Sequence, residues 1–310
     1  MRPVHVPTLS APLGAAYIAL SLAACGGKPP PPAAAPAGPP PTPTLEQLQS
    51  ATVSGVFDQA VTLSGGKYQG APAEPGAASR PELTLWAPTV HFGDLDGQPG
   101  SEAVAMLSST GGGSGEFVWI AVFGMREGQL ANLGTAAVGD RARLQSLWLE
   151  RGKIVMDVVE AGPGEPACCG TQVARKTYAM QGGKLAQESS EVRGVLALSM
   201  LSANEWTLAE LDGQPLPAGI EPPLVHFENG TVRGFAGCNR FNATVTETKP
   251  GEIEVGPPMA TKMACPQEQM DLEQKFLGEL AAVNRYSYVA GQLALGFQDG
   301  DRAGVLLLRK

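Results

Sequence analysis

Apolar and polar positions alternate along most of this chain, and the period changes clearly only once. Runs with a repeat of two cover Val61–Leu63, Leu83–Phe92, Glu102–Leu107, Phe117–Phe123, Leu144–Leu149, Ile154–Val159 and Thr177–Met180. Such alternation reads as half-buried strands. Gly65-Gly66, Gly111–Gly115, Arg151-Gly152 and Gly182-Gly183 punctuate them as turns. A second set covers Glu205–Leu211, Leu224–Phe227, Thr231–Phe235, Phe241–Glu247, Glu252–Val255, Tyr286–Val289, Leu293–Phe297 and Val305–Leu308. Glu228-Asn229-Gly230 and Pro250-Gly251 are its turn signals. The period lengthens over Gln267–Val283, where Leu272, Phe276, Leu280 and Val283 share one face of a helix. A short helix is also expected at Thr44-Leu45-Glu46-Gln47, a capping box that Gly55 would stop early. The expected fold is mainly β, a β-rich α+β chain of two domains, 44–193 and 199–310. The second is expected to be a small curled sheet or open barrel with its one helix closing a side.

Composition narrows what such a chain could do. Of 310 residues, 43% are hydrophobic, enough for real cores, while only 17% are charged. Thirty acidic against 22 basic residues give a net charge of −8, and neither half carries a basic stripe. Binding nucleic acid by phosphate neutralisation is therefore excluded as an expectation. The three histidines (His5, His91 and His226) are scattered, no Cys-x-x-Cys occurs, and zinc-ligand spacing is missing.

The N-terminus reads as an address. Leu13–Ala24 is apolar but shorter than a membrane-spanning helix needs, so 1–24 is expected to be a signal peptide. Leu22-Ala23-Ala24-Cys25-Gly26 resembles a bacterial lipobox. That resemblance implies a diacylated Cys25 as mature N-terminus and a membrane held through its lipid. With Gly26 rather than aspartate behind it, it implies the outer membrane, facing the periplasm. Residues 25–43 are rich in Pro and Ala, a polyproline spacer reaching at most ~55 Å.

Three features of the first domain invite chemistry. Gly93-Asp94-Leu95-Asp96-Gly97-Gln98-Pro99-Gly100-Ser101-Glu102 resembles the calcium loop of integrin-like FG-GAP repeats. Asp94, Asp96 and Glu102 would be oxygen ligands, with neutral Gln98 weakening the site. Pro99 and Ala105 exclude an EF-hand, and a plain turn is the alternative. The glycine run 111–115 feeds a strand rather than a helix, so it is no phosphate cradle. Cys168 and Cys169 are adjacent and could bond to each other or take separate partners. Gly93-Asp94-Leu95, Gly112-Gly113-Ser114-Gly115, Gly139-Asp140-Arg141 and Pro166–Gly170 together resemble an uncharacterised bacterial envelope module. Gly170 stands where that module has a proline, which predicts a looser loop.

The second domain turns on the stretch from Gly237 to Pro266. Gly237-Cys238-Asn239 and Thr261-Lys262-Met263-Ala264-Cys265 resemble the two motifs of the META domain, the family of the HslJ heat-shock lipoprotein. The resemblance covers roughly 202–310. It implies a β architecture with one helix and an association with stress tolerance, without a defined activity or cofactor. In an oxidising compartment Cys238 and Cys265 are expected to form a disulfide, the alternative being two buried thiols. Asn239 is read as a structural amide rather than a catalytic one. No catalytic residue is assigned and no cofactor is expected. The expected function is a non-enzymatic, membrane-anchored binding or stress-tolerance lipoprotein acting on another envelope protein or a small ligand. An accessory protein for an envelope partner is the alternative; a cysteine-dependent enzyme lacks a base beside Cys238.

Overall fold

The computed structural model describes residues 42–310 apart from 73–75 and 77–78. Cys25, the signal peptide and nearly all of the spacer lie outside the described residues. α1 (Leu45–Leu48) opens on the expected capping box: Gln47 N donates to Thr44 Oγ1 at 3.2 Å and Thr44 N to Gln47 Oε1 at 2.9 Å. It lasts one turn and ends well before Gly55.

Two antiparallel meanders follow. The first has five strands: β3 (Lys67–Gln69), β4 (Glu82–Gly93), β5 (Glu102–Thr110), β6 (Phe117–Arg126) and β7 (Gln129–Asp140). It is preceded by a two-stranded ribbon, β1 (Thr52–Val53) and β2 (Val61–Thr62). The second meander has four: β8 (Arg143–Glu150), β9 (Lys153–Glu160), β10 (Gln172–Gln181) and β11 (Lys184–Val195). The sequence suggested a hairpin across Gly65-Gly66, but its flanking runs do not pair with each other: β2 pairs with β1 and β3 with β4, and a single Ser64–Lys67 bridge spans the turn.

The meanders pack face to face. Val104, Met106, Ile120 and Val122 of the first meet Ile154, Met156, Val158 and Tyr178 of the second. The opposite face of the first sheet is covered by Leu48, Val53 and Leu63 over Leu83, Leu107 and Phe123. Burying each such side chain contributes about 1.5–3 kcal/mol, so the three layers have two apolar seams.

β11 ends at Val195, and a 3₁₀ turn at Leu198–Ala203 leads into the second half. There the strands are β12 (Glu205–Leu211), β13 (Gln214–Pro215), β14 (Leu224–Glu228), β15 (Thr231–Phe235), β16 (Arg240–Lys249), β17 (Glu252–Val255) and β18 (Met259–Ala260). After α2 (Gln267–Ala281) come β19 (Val283–Val289), β20 (Gln292–Asp299) and β21 (Arg302–Arg309). β12, β14, β15, β16, β17, β19, β20 and β21 form a barrel that closes, because β21 returns to pair with β12. This differs from the open barrel expected. A register shift between Leu208 and Glu210 lets β12 pair with β14 through residues 205–207 and with β21 through 207–211. Closure leaves the eight-strand ring without a free edge.

Trp206, Phe227, Phe241, Tyr286 and Phe297 fill the interior. Phe276 and Leu280 of the expected stripe pack on them, with Phe276 edge-on to Phe241 at 5.8 Å, and Leu272 is buried as well. The helix ends at Ala281, however, and Val283 opens β19 instead. The halves touch where β8 meets β19 and the turn that follows it: Arg143 Nη1 donates to Ser287 Oγ at 2.7 Å and Gly291 N to Leu144 O at 3.0 Å.

Candidate functional site

The stretch between β15 and α2 is drawn together by one buried amide. Asn239 is 3% exposed. Its Oδ1 accepts from Thr261 Oγ1 at 2.8 Å and Met263 N at 2.7 Å. Its Nδ2 donates to Glu273 Oε1 at 3.0 Å, and its backbone N to Glu273 Oε2 at 2.6 Å. With each polar atom engaged, this amide has nothing left to offer a reaction. Glu273, on α2, went unnoticed in the sequence; the available signal was an acid adjoining the buried Leu272–Phe276 stripe. Cys238, also 3% exposed, is bonded to half-buried Cys265 with Cα atoms 6.0 Å apart. That pairing leaves no thiolate to act as nucleophile. Gly237 has φ +109°, a conformation open to glycine, and faces Leu272 closely.

This knot borders a groove of about 990 Å³ on the outer wall of the barrel. Strand register dictates its floor. Glu205, His226, Arg233 and Asn242 are consecutive cross-strand neighbours over β12, β14, β15 and β16. Thr207, Leu224, Phe235 and Arg240 form the row beside them. Val225, Val232 and Phe241 alternate inward, so the same strands build the core and the groove. Glu221 and Pro222 rise on one side and Met263 on the other. Met263 is 60% exposed, and Met259, opposite Asn242, is 68% exposed. Arg233 donates to Glu228 Oε2 at 2.8 Å, while His226 Nδ1 is buried with no partner among the described residues. Mixed charge, one imidazole and exposed thioethers suit recognition.

The acidic loop is built as a turn, with Gly97 N donating to Asp94 Oδ1 at 2.8 Å and Gln98 N to Asp96 Oδ1 at 2.9 Å, and it also gathers three carboxylates. Asp94, Asp96 and Glu102 bring one oxygen each within 4.8 Å of one another. Glu102, 2% exposed, accepts from Leu95 N at 2.9 Å. Arg126 of β6, unnoticed in the sequence, ion-pairs with Asp96 and lies 4.0 Å from Glu102 Oε1. A calcium ion here would have to displace this guanidinium. The cluster thus carries its own cation.

Cys168 and Cys169 are bonded to each other in an exposed 3₁₀ turn. The loop around them is tighter than expected. Gly170 is buried, and a Cβ there would overlap the backbone of Glu160 and Ala161. Proline could not occupy that space. Glu165 accepts from Gly162 N and Thr171 N, both at 2.8 Å, and from Thr171 Oγ1 at 2.5 Å. These bonds, the hydroxyl's first, hold its carboxyl down to about 2. Arg143 Nη2 donates to Gly170 O.

Near the other end of α2, Glu279 is fully buried, and neither oxygen has a hydrogen-bond partner among the described residues. Burial, then Asp212 nearby, pushes its carboxyl above the usual range; Lys275 at 3.9 Å and Arg302 at 3.4 Å oppose this.

Residues 199–309 match the META domain family. No curated protein matches the chain. Among similar solved structures, one NMR structure is 20% identical, covering 37% of this chain and 95% of that one, with a TM-score of 0.31. A second, from Burkholderia xenovorans, is 21% identical over 36% and 84%, at 0.30. A rhamnogalacturonan lyase from Bacillus licheniformis is 11% identical over 80% and 45%, at 0.26. At such values none of the three bears on what this chain does.

Proposed function

We propose, taking the META domain at residues 199–309 as the premise, that this protein is a membrane-anchored envelope lipoprotein whose barrel is a non-enzymatic binding module. The family supports a stress-related envelope setting; the anchor rests on Cys25 and its proline-rich spacer. The observation that carries the binding role is the row Glu205–His226–Arg233–Asn242, continued by Met259, on the outer wall beside the disulfide. Such a surface suits a partner bringing both charge and apolar contact. The exposed pair Met259 and Met263 favours the second reading, an accessory protein that docks on another envelope protein.

Immobilised full-length protein should capture a partner from detergent-solubilised envelope. Arg233→Glu with Arg240→Glu should lose that partner while keeping the melting temperature. Equal recovery by the variant would contradict the assignment of the groove. Cys25→Ser should release the protein from membranes; a variant that stays bound at mature size would remove the anchor.

A further inference from the structure

Disulfides span Cα distances of about 4.4–6.8 Å when unstrained. Cys238 and Cys265 fall inside that range at 6.0 Å, whereas Cys168 and Cys169 are fixed at 3.8 Å by the one peptide unit between them. The second pair is also exposed on both residues, as are Pro166 and Ala167 leading into the turn. Exposed disulfides outside the relaxed geometry are the ones that exchange with thiols. Their surroundings point the same way. The base of the loop is fastened independently of the sulfurs, by Glu165 to Gly162 and Thr171, by Arg143 to Gly170, and by Gly170 packed on the backbone of residues 160–161. Opening the bond would therefore release the tip and leave the loop in place.

We propose that Cys168–Cys169 is a thiol–disulfide exchange site on the surface of this protein, an acceptor of two electrons from a dithiol. In the first step a donor thiolate attacks one of the two sulfurs. The Cys168–Cys169 bond breaks, a mixed disulfide forms, and the other cysteine leaves as a thiolate that takes a proton from water. In the second step the donor's remaining thiolate attacks its own sulfur in the mixed disulfide. That expels the second cysteine, which is protonated in turn. The donor ends as a disulfide and the pair as two thiols. Adjacency selects the donor class: after attack by a monothiol, the freed neighbour is held beside the mixed disulfide and re-closes the bond. A dithiol completes the exchange before that reversal can prevail.

The test uses the full, folded protein equilibrated at graded ratios of reduced to oxidised dithiothreitol. N-ethylmaleimide traps free thiols and peptide mapping locates them. Cys168 and Cys169 should be labelled together at a ratio at least about tenfold lower than Cys238 and Cys265 require, with the melting temperature unchanged at that point. In a parallel arm, glutathione at equal thiol concentration should leave the pair largely closed. Cys169→Ser should expose a Cys168 thiol that labels without any reductant. Reduction of both pairs at one ratio, labelling of Cys168 and Cys169 before reductant is added, or reduction by glutathione as ready as by the dithiol would each overturn the proposal.

Discussion

The two cysteine pairs do opposite things with the same bond. Cys238–Cys265 spans 27 positions, is largely buried, and fastens the start of α2 to the loop after β15. Cys168–Cys169 spans one position, is exposed, and fastens nothing beyond its own turn. In the chain-entropy account a cross-link stabilises by the loop that it removes from the unfolded ensemble, so the first restricts a great deal and the second almost nothing. The neighbouring acids repeat the contrast. Glu165, beside the exposed pair, accepts from three loop donors and is held down in pKa; Glu279, deep against the barrel, has no hydrogen-bond partner among the described residues and is pushed up. The lesson is that sequence separation and burial, rather than residue type, decide whether a cysteine pair is a staple or a reactive group.

The largest effect should come from removing the long bridge. Cys238→Ser with Cys265→Ser should lose roughly 3.5 kcal/mol in urea denaturation of the barrel transition. The matching change at Cys168 and Cys169 should be within about 0.5 kcal/mol of wild type. Equal losses would erase the contrast. Asn239→Ala comes next, at about 1–3 kcal/mol by the same measurement, because it removes the partner of Met263 N and of Glu273 Oε1, while the backbone bond to Glu273 Oε2 stays. Gly170→Ala should cost about 1–3 kcal/mol through overlap with residues 160–161, showing that the exposed pair sits on a rigid base.

The smallest effects are in pH and have opposite signs. The contribution of Glu165 is present above the usual carboxylate range and lost as pH falls towards about 2. The Gly162 and Thr171 amide shifts should hold from pH 7 to 4 and move below it. Glu279 is the reverse: burial of its charge costs stability as pH rises through its raised value. Glu279→Gln should melt above wild type at pH 8, with the gap closing towards acid pH. A gap that widens there would put the charge in a role that Lys275 and Arg302 satisfy.

The sequence was most legible where structure is set locally. β12 and β15 run between the boundaries expected, and Asn229 and Gly230 take the positive φ values that their hairpin demands. The fold class, the α2 stripe and the capping box were readable for the same reason. β7 was not, because Gln129–Asp140 is rich in Ala and Gly and lacks alternation. β11 was reduced to its first two residues, since an edge strand of Glu, Ser and Arg hides its period. Closure of the barrel depends on a bulge in β12 and a partner about a hundred residues away, which no local pattern encodes. In the candidate site, Asn239 and both cysteines were visible from the motifs. Their partner Glu273, and Arg126 at the acidic loop, are ordinary charged residues until the fold sets them beside a buried group.

Amide hydrogen exchange on the Cys238→Ser, Cys265→Ser variant tests most directly whether the Gly237–Pro266 stretch organises the barrel. Protection should fall together in β16, β18 and the first turns of α2, while β5 and β6 of the first meander keep wild-type protection. Protection lost evenly across both halves, or unchanged in the barrel, would contradict the account.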